Sequence, residues 1–176
     1  GSLTLAASGS AATAYSGAAG TALLGAGSLL QATGGVSVWA DVKDRAIAES
    51  NGLGLGLLAS KGTSVATATS AGSATAGTGA STITGASLMV LADGSERAQA
   101  TAVSAEGGLF AADNGANAVG SVTPLVKAEI GSDSHVHVTG DVFVKGSAIA
   151  DGDADARGVT LSAGVSGGGS RAVMME

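Results

Sequence analysis

Residues 36–59 read VSVWADVKDRAIAESNGLGLGLLA, and residues 88–111 read LMVLADGSERAQATAVSAEGGLFA. The two segments align without a gap at an offset of 52 residues, and nine of the 24 aligned pairs are identical. A bias toward Ala and Gly explains some of these matches but not those of larger or charged residues. A fixed period of this length predicts a protein built from repeated structural units. The identical pairs that are neither Ala nor Gly are Val38/Val90, Asp41/Asp93, Arg45/Arg97 and Leu57/Leu109.

The same offset organises the rest of the chain. It predicts one elongated domain over residues 1–176, in which Gly1–Leu5 is read as an earlier copy of Gly34–Val38. A drift of two or three residues near His135–Val138 indicates a small insertion in the third unit. The predicted units are a shortened first unit at roughly 1–33, then 34–84 and 85–139, and a partial last unit at 140–176.

Within a unit the local period is two residues, as in Ser64–Thr69 and His135–Val138. Alternation of this kind is typical of β-strands, because successive side chains point to opposite faces. Glycines at Asn51–Gly52, Lys61–Gly62 and Asn114–Gly115 are interpreted as corners between strands, since corners often need a positive φ. Short strands, glycine corners and a long repeat together predict an all-β fold, a parallel β-helix of stacked coils with a super-repeat of about 52 residues.

The composition indicates a thin interior. Hydrophobic residues make up 45% of the chain and aromatic residues only 2%, so Ala, Gly, Ser, Thr and Val must fill most of the core. We expect a coil of roughly 20 residues, which gives about nine coils and a rod some 40 Å long. Four larger side chains are expected to fill wider inner corners, namely Leu57, Leu58, Leu109 and Phe110. The competing interpretation is a silk-like low-complexity chain without a unique fold.

Charge and cysteine content exclude several classes of protein. The chain has 14 acidic and 8 basic residues, a net charge of −6, and no Cys. It therefore has neither a disulfide framework nor a Cys-based metal site, and it lacks the basic surface that nucleic acid requires. Ala11–Leu30 is uncharged, but its glycines and hydroxyl residues argue against a membrane span. We expect no nucleic-acid partner and no membrane insertion.

Three groups of residues are candidate sites. Asp151, Asp153 and Asp155 alternate and offer oxygen ligands for Ca²⁺. Because Ser162 stands where an EF-hand would need Glu, a solvated turn is the preferred interpretation. His135 and His137 share one strand face and are two of the ligands that a Zn²⁺ site needs, although a soluble outer face is preferred. The third group is a partial threonine ladder of the ice-binding kind, which most coils lack, and its pairs are Thr67/Thr69 and Thr82/Thr84.

The chain resembles the repeat region of giant bacterial adhesins of the filamentous-haemagglutinin-like type. The resemblance rests on Gly140–Val144 (GDVFV), Gly56–Ala59 (GLLA), Gly108–Ala111 (GLFA) and Val122–Gly131 (VTPLVKAEIG), and as a pattern it covers nearly the whole chain. It implies a secreted, right-handed β-helical stalk with structural and adhesive roles, and no catalytic residues. A chain without Cys suits passage through an outer-membrane pore.

These observations predict a structural segment of an extracellular adhesin or filament at the bacterial cell surface, acting as a rigid stalk or a self-assembling fibre subunit. We expect no enzyme activity and no cofactor. The expected partners are other copies of the chain, joined head to tail or laterally, and the surface of a host or neighbouring cell. Two alternatives stay open: a secreted parallel β-helix enzyme acting on carbohydrate, and a calcium-dependent or ice-binding solenoid module.

Overall fold

A computed structural model describes residues 5–176 and has the predicted all-β fold, a parallel β-solenoid. Within these residues the chain repeats a cycle of four strands, of 12, 6, 3 to 4 and 21 to 22 residues, until the last cycle stops after its first strand. The strands are β1 (Leu5–Ser16), β2 (Ala19–Leu24), β3 (Leu29–Gln31), β4 (Gly35–Gly56), β5 (Ala59–Ser70), β6 (Ser73–Thr78), β7 (Thr82–Gly85), β8 (Ser87–Gly108), β9 (Ala111–Val122), β10 (Leu125–Ile130), β11 (His135–Val138), β12 (Val142–Ser162) and β13 (Val165–Met175).

Equivalent strands of successive cycles pair side by side and form four sheets. Sheet A contains β1, β5, β9 and β13, sheet B contains β2, β6 and β10, sheet C contains β3, β7 and β11, and sheet D contains β4, β8 and β12. Every pairing is parallel and in register along its whole length. The pair β4–β8 aligns Val36 with Leu88 and Gly56 with Gly108, which is the offset read from the sequence.

One coil is the whole repeat, so the expected coil of 20 residues is wrong. Leu5 pairs with Ala59, Ala59 with Ala111 and Ala111 with Val165, which gives coils of 54, 52 and 54 residues. At about 4.8 Å per rung, the four strands of sheet A rise only about 14 Å. A sheet D strand of 22 residues, in contrast, spans about 70 Å. The described part of the molecule is therefore broad across its axis rather than a long thin rod.

The glycines interpreted as corners lie inside strands, which is why the coils are so long. Gly52 is part of β4, Gly62 of β5 and Gly115 of β9. Within residues 5–176, only Gly27 and Asp133 have a positive φ, of 76° and 61°. Small residues in this chain therefore mark places where the facing sheet comes close, and seldom places where the chain turns.

The two residues with positive φ occupy the same connection, between sheets B and C, in the first and third coils. That connection has four residues there, 25–28 and 131–134, but three in the second coil, 79–81. The predicted insertion in the third unit is therefore confirmed relative to the second coil, and the first coil has it as well. The expected match of Gly1–Leu5 to Gly34–Val38 falls mostly outside the described residues, and Leu5 itself pairs with Ala59.

Two layers enclose a wedge-shaped interior. Sheet D packs against sheet A along one half of its length and against sheet B along the other. Even-numbered side chains of β4, β5 and β8 point inward, and Ala supplies most of the buried apolar ones, as the composition predicted. The larger buried side chains Ile83, Leu88 and Val90 lie at the sheet C end. Among the described residues, no helix is long and apolar enough to cross a membrane.

The opposite corner, where sheet D turns into sheet A, is the narrow end of the wedge. Gly56 and Gly108 point inward there, and a Cβ on either would collide with the carbonyl oxygen of Ala59 or Ala111. The expectation that large side chains fill this corner is therefore wrong. Leu57, Leu109 and Phe110 point outward and are 66%, 55% and 60% exposed, and Leu58 is only half-buried.

The thin interior predicts that one added side-chain branch is costly. Ala100 is fully buried, with Ala48 and Ala154 as its rung neighbours. We expect Ala100→Leu to lower the free energy of unfolding by about 1–3 kcal/mol, because the close packing of the two layers leaves no room for it. Urea unfolding followed by circular dichroism measures this loss. The matched control is Gln99→Leu on the outer face of the same strand, and equal stability of the two variants would contradict the prediction.

Candidate functional site

The three aspartates of the calcium prediction lie in strand β12 rather than in a turn. Their side chains share the outer face of sheet D, and two of them are held by arginines. Arg97 Nε lies 3.4 Å from Asp151 Oδ2, and Arg157 Nη2 lies 2.7 Å from Asp155 Oδ2. Among residues 5–176, no three His, Cys, Asp or Glu side chains are grouped closely enough to hold a metal ion. Calcium binding at Asp151, Asp153 and Asp155 stays a prediction.

The histidines and threonines lie on outer faces. His135 and His137 are exposed on β11, while Val136 and Val138 of the same strand point inward. The outward threonines do not continue from rung to rung. The neighbours of Thr67 are Thr13 and Val119, and those of Thr82 are Leu29 and His135.

The repeated charges of sheet D form rows along the solenoid axis. Asp41 lies beside Asp93 and Arg45 beside Arg97, so like charges occupy adjacent rungs. Other groups offset them: Trp39 Nε1–H donates to Asp93 Oδ2 at 3.1 Å, and Lys43 Nζ lies 3.9 Å from Asp41 Oδ2. The Arg row ends at Asp151, which neutralises part of it. These pairs are exposed, and each contributes little to stability.

The interior of the solenoid contains three carboxyl groups that the sequence analysis missed. Asp44, Glu96 and Glu106 are only 7%, 2% and 3% exposed. The alternation carried the signal, since all three are even-numbered residues, like the buried Ala46 and Ala98 on the same strands. Groups of this kind are costly to bury without hydrogen bonds, so their partners decide what they do.

Asp44 faces the bend that connects sheet A to sheet B. The hydroxyl groups of Ser16 and Ser70 and the backbone N–H groups of Ala18 and Arg45 donate to its carboxylate, with Ser70 Oγ at 3.2 Å. Burial alone would raise the pKa of Asp44. The four hydrogen bonds favour the charged form more strongly, and they hold the pKa below its ordinary value of 3.8.

Glu96 occupies the next rung above Asp44 and faces the equivalent bend of the second coil. It accepts a hydrogen bond from the backbone N–H of Gly72, while its Oε2 is buried without a partner. Burial raises the pKa of Glu96 above its ordinary value of 4.5, and the negative charge of Asp44 acts in the same direction. One rung therefore carries a well-solvated carboxylate and the next a carboxyl group that favours its neutral form.

The third coil replaces both members of this arrangement. The bend residues Ala18 and Gly72 correspond to Pro124, which has no N–H to donate. In sheet D, the position of Asp44 and Glu96 is occupied in the third coil by Ala150. An inward acid is thus present in the two coils whose bend offers an N–H, and absent from the coil whose bend does not. We define the pairing of an inward acid with a bend N–H as the bend clasp.

Glu106 uses the space that glycines leave. The Ser8 hydroxyl donates to its Oε1 at 2.7 Å, and its Oε2 has no hydrogen-bond partner. A Cβ on Gly54 or on Gly62 would overlap the Glu106 carboxylate. Those glycines therefore make room for a charged side chain from the neighbouring rung or the facing sheet.

The arrangement of these groups supports a structural role: the interior acids fix the bend and the spacing of the layers through hydrogen bonds to backbone and hydroxyl donors. No family model matches the sequence, and no curated protein or solved structure matches the chain significantly.

The opposite pKa shifts of the two clasp acids predict a stability maximum at mildly acidic pH. The contribution of Asp44 is present above pH 3.8 and is lost as the pH falls through its lowered pKa. The contribution of Glu96 is complete below pH 4.5 and is lost as the pH rises through its raised pKa. We expect Glu96→Gln to remove most of the decline on the alkaline side of the maximum.

Urea unfolding of the wild type and Glu96→Gln from pH 3 to pH 9 measures this dependence. Glu49→Gln is the matched control, because it makes the same change on the outer face of sheet D. The interpretation fails if Glu96→Gln and Glu49→Gln follow the same pH profile.

The bend clasp predicts energetic coupling between positions 72 and 96. Gly72→Pro removes the N–H donor, and the Pro124 bend shows that this connection accepts proline. We expect Gly72→Pro to destabilise the wild type because it leaves the buried Glu96 without its donor, and to destabilise Glu96→Ala by about 1 kcal/mol less. A double-mutant cycle from urea unfolding gives the coupling energy. Additive effects of the two substitutions would show that the clasp makes no net contribution.

Proposed function

We propose that this chain is a structural segment of a bacterial extracellular adhesin or filament, a rigid solenoid that holds other regions away from the cell surface or joins copies of itself. The observation that carries the proposal is the uninterrupted parallel pairing of sheet D, in which β4, β8 and β12 align residue by residue over 21 or more positions. A stack held by continuous backbone pairing suits a part that must keep its shape rather than move.

The repeat itself supports this proposal. Each coil pairs only with the coils before and after it, so a solenoid of this kind is extended by adding coils, without a change in the design of the existing ones. The interior relies on Ala, Ser and Gly together with backbone hydrogen bonds, and not on a large apolar core that would have to form all at once. These features are favourable for a long chain that folds after export.

The proposal is tested by display on a Gram-negative cell with added coils and a terminal epitope. The inserted block is residues 59–164, which holds two coils and keeps Glu96 next to Asp44 or Ala150 rather than next to another Glu96. We expect the epitope to move outward by about 10 Å for each inserted block, and by about 40 Å for four blocks, in tomograms of labelled cells. Resistance to added protease reports that the displayed coils are folded.

A block of the same length with Ala98→Asp and Ala100→Asp is the control, since buried unpaired charges should prevent stacking. The proposal predicts that cells displaying the longer chains attach to one another or to a surface more than cells displaying the control. Height that does not grow with the number of blocks, or attachment equal to that of the control, would overturn it.

A further inference from the structure

The outer side of the corner between sheets D and A carries a charge-free apolar groove. In the second coil the outward position is Gly107, and its rung neighbours are Leu55 in the first coil and Leu161 in the third. These leucines are 74% and 77% exposed and form the two walls, while Leu57 and Leu109 lie at one end. The groove has a volume of about 660 Å³. We call it the leucine furrow.

The furrow follows from one missing side chain. A Cβ on Gly107 would lie 2.9 Å from Leu55 Cδ2, so the first-coil leucine leans over the glycine. A larger residue at position 107 would continue the row of leucines and fill the space. The row Leu55–Gly107–Leu161 is therefore ridge, hollow and ridge at successive rungs.

Charge makes this strip the place where two copies can meet. The chain carries a net charge of −6, which opposes close approach of identical molecules. The segments 51–60, 103–112 and 158–170, which form the strip in the three coils, contain one charged residue, Glu106, and its side chain points inward. Exposed apolar side chains concentrated on a surface without charge are typical of an interface.

The spacing of the strip fits a second solenoid. Its ridges are separated by two rungs, about 10 Å, and its hollow by one rung from each ridge. Another copy presents leucine ridges at the same spacing, so that a shift of one rung places the ridge of each copy in the hollow of the other. A two-fold arrangement satisfies both furrows at once.

We propose that the leucine furrow binds the same furrow of a second copy of this chain, so that two solenoids associate side by side. The inference deepens the proposed function and rests on it, because it names the surface through which a structural segment joins its copies laterally.

Sedimentation velocity of the purified chain over a concentration series tests this inference. We expect a reversible dimer whose dissociation constant rises at least about tenfold in Leu161→Ser and in Gly107→Val, the first removing a ridge and the second filling the hollow. Leu125→Ser is the matched control, because Leu125 is 65% exposed on sheet B, away from the furrow. Circular dichroism of each variant reports that the solenoid is intact.

Three results would overturn the inference: a wild type that stays monomeric at millimolar concentration, a dimer that the furrow variants do not weaken, or a dimer that Leu125→Ser weakens equally. Furrow-dependent binding of the monomer to phosphatidylcholine vesicles, without dimerisation, would assign the furrow to lipid and also overturn it. A monomeric wild type that still gains height with added coils on the cell surface would leave the proposed function in place.

Discussion

Parallel, in-register backbone pairing between successive coils is the interaction on which the rest of this structure depends. Each residue of β8 from Leu88 onward has one neighbour at the same position in β4 and another in β12. The side chains of a column therefore share one environment, and a change in one coil is felt by two others. The ridge and hollow at Leu55, Gly107 and Leu161 on the outside are a column in this sense, and so are the acids Asp44 and Glu96 on the inside.

The sequence was sufficient to predict the class of fold, because the two strongest signals survive in the structure unchanged. The offset of 52 residues is the register of β4 on β8, and the alternation of side chains separates interior from surface. The length of a coil was not predictable from glycine positions. Gly62 looks like a corner because of its residue type, whereas it lies in β5 to make room for the Glu106 carboxylate. That reason becomes visible only when residues 44 positions apart are brought together.

The same limit applies to the candidate site. Leu57 and Leu109 are large and apolar, which favours an interior position, yet their odd positions place them outside, where sheets D and A approach too closely for any inward side chain beyond Gly56 and Gly108. Asp44 and Glu96 look like a simple conservative match between repeats. Parity alone would have placed them in the interior, but their link to the bend depends on the route of the chain from sheet A to sheet B.

The polar interior has a physical justification that an apolar one would lack. An interior of alanines does not distinguish the correct pairing from one shifted by two residues, because such a slip keeps every inward residue inward. A shift of two at Asp44 would separate it from the Ser16 and Ser70 hydroxyls and from the Ala18 N–H, and a shift at Glu106 would press its carboxylate against a residue with a side chain. Each buried acid thus makes one register far more favourable than its neighbours. In a thin solenoid, where apolar packing is nearly the same in every register, specificity of pairing has to come from these few hydrogen-bonded groups.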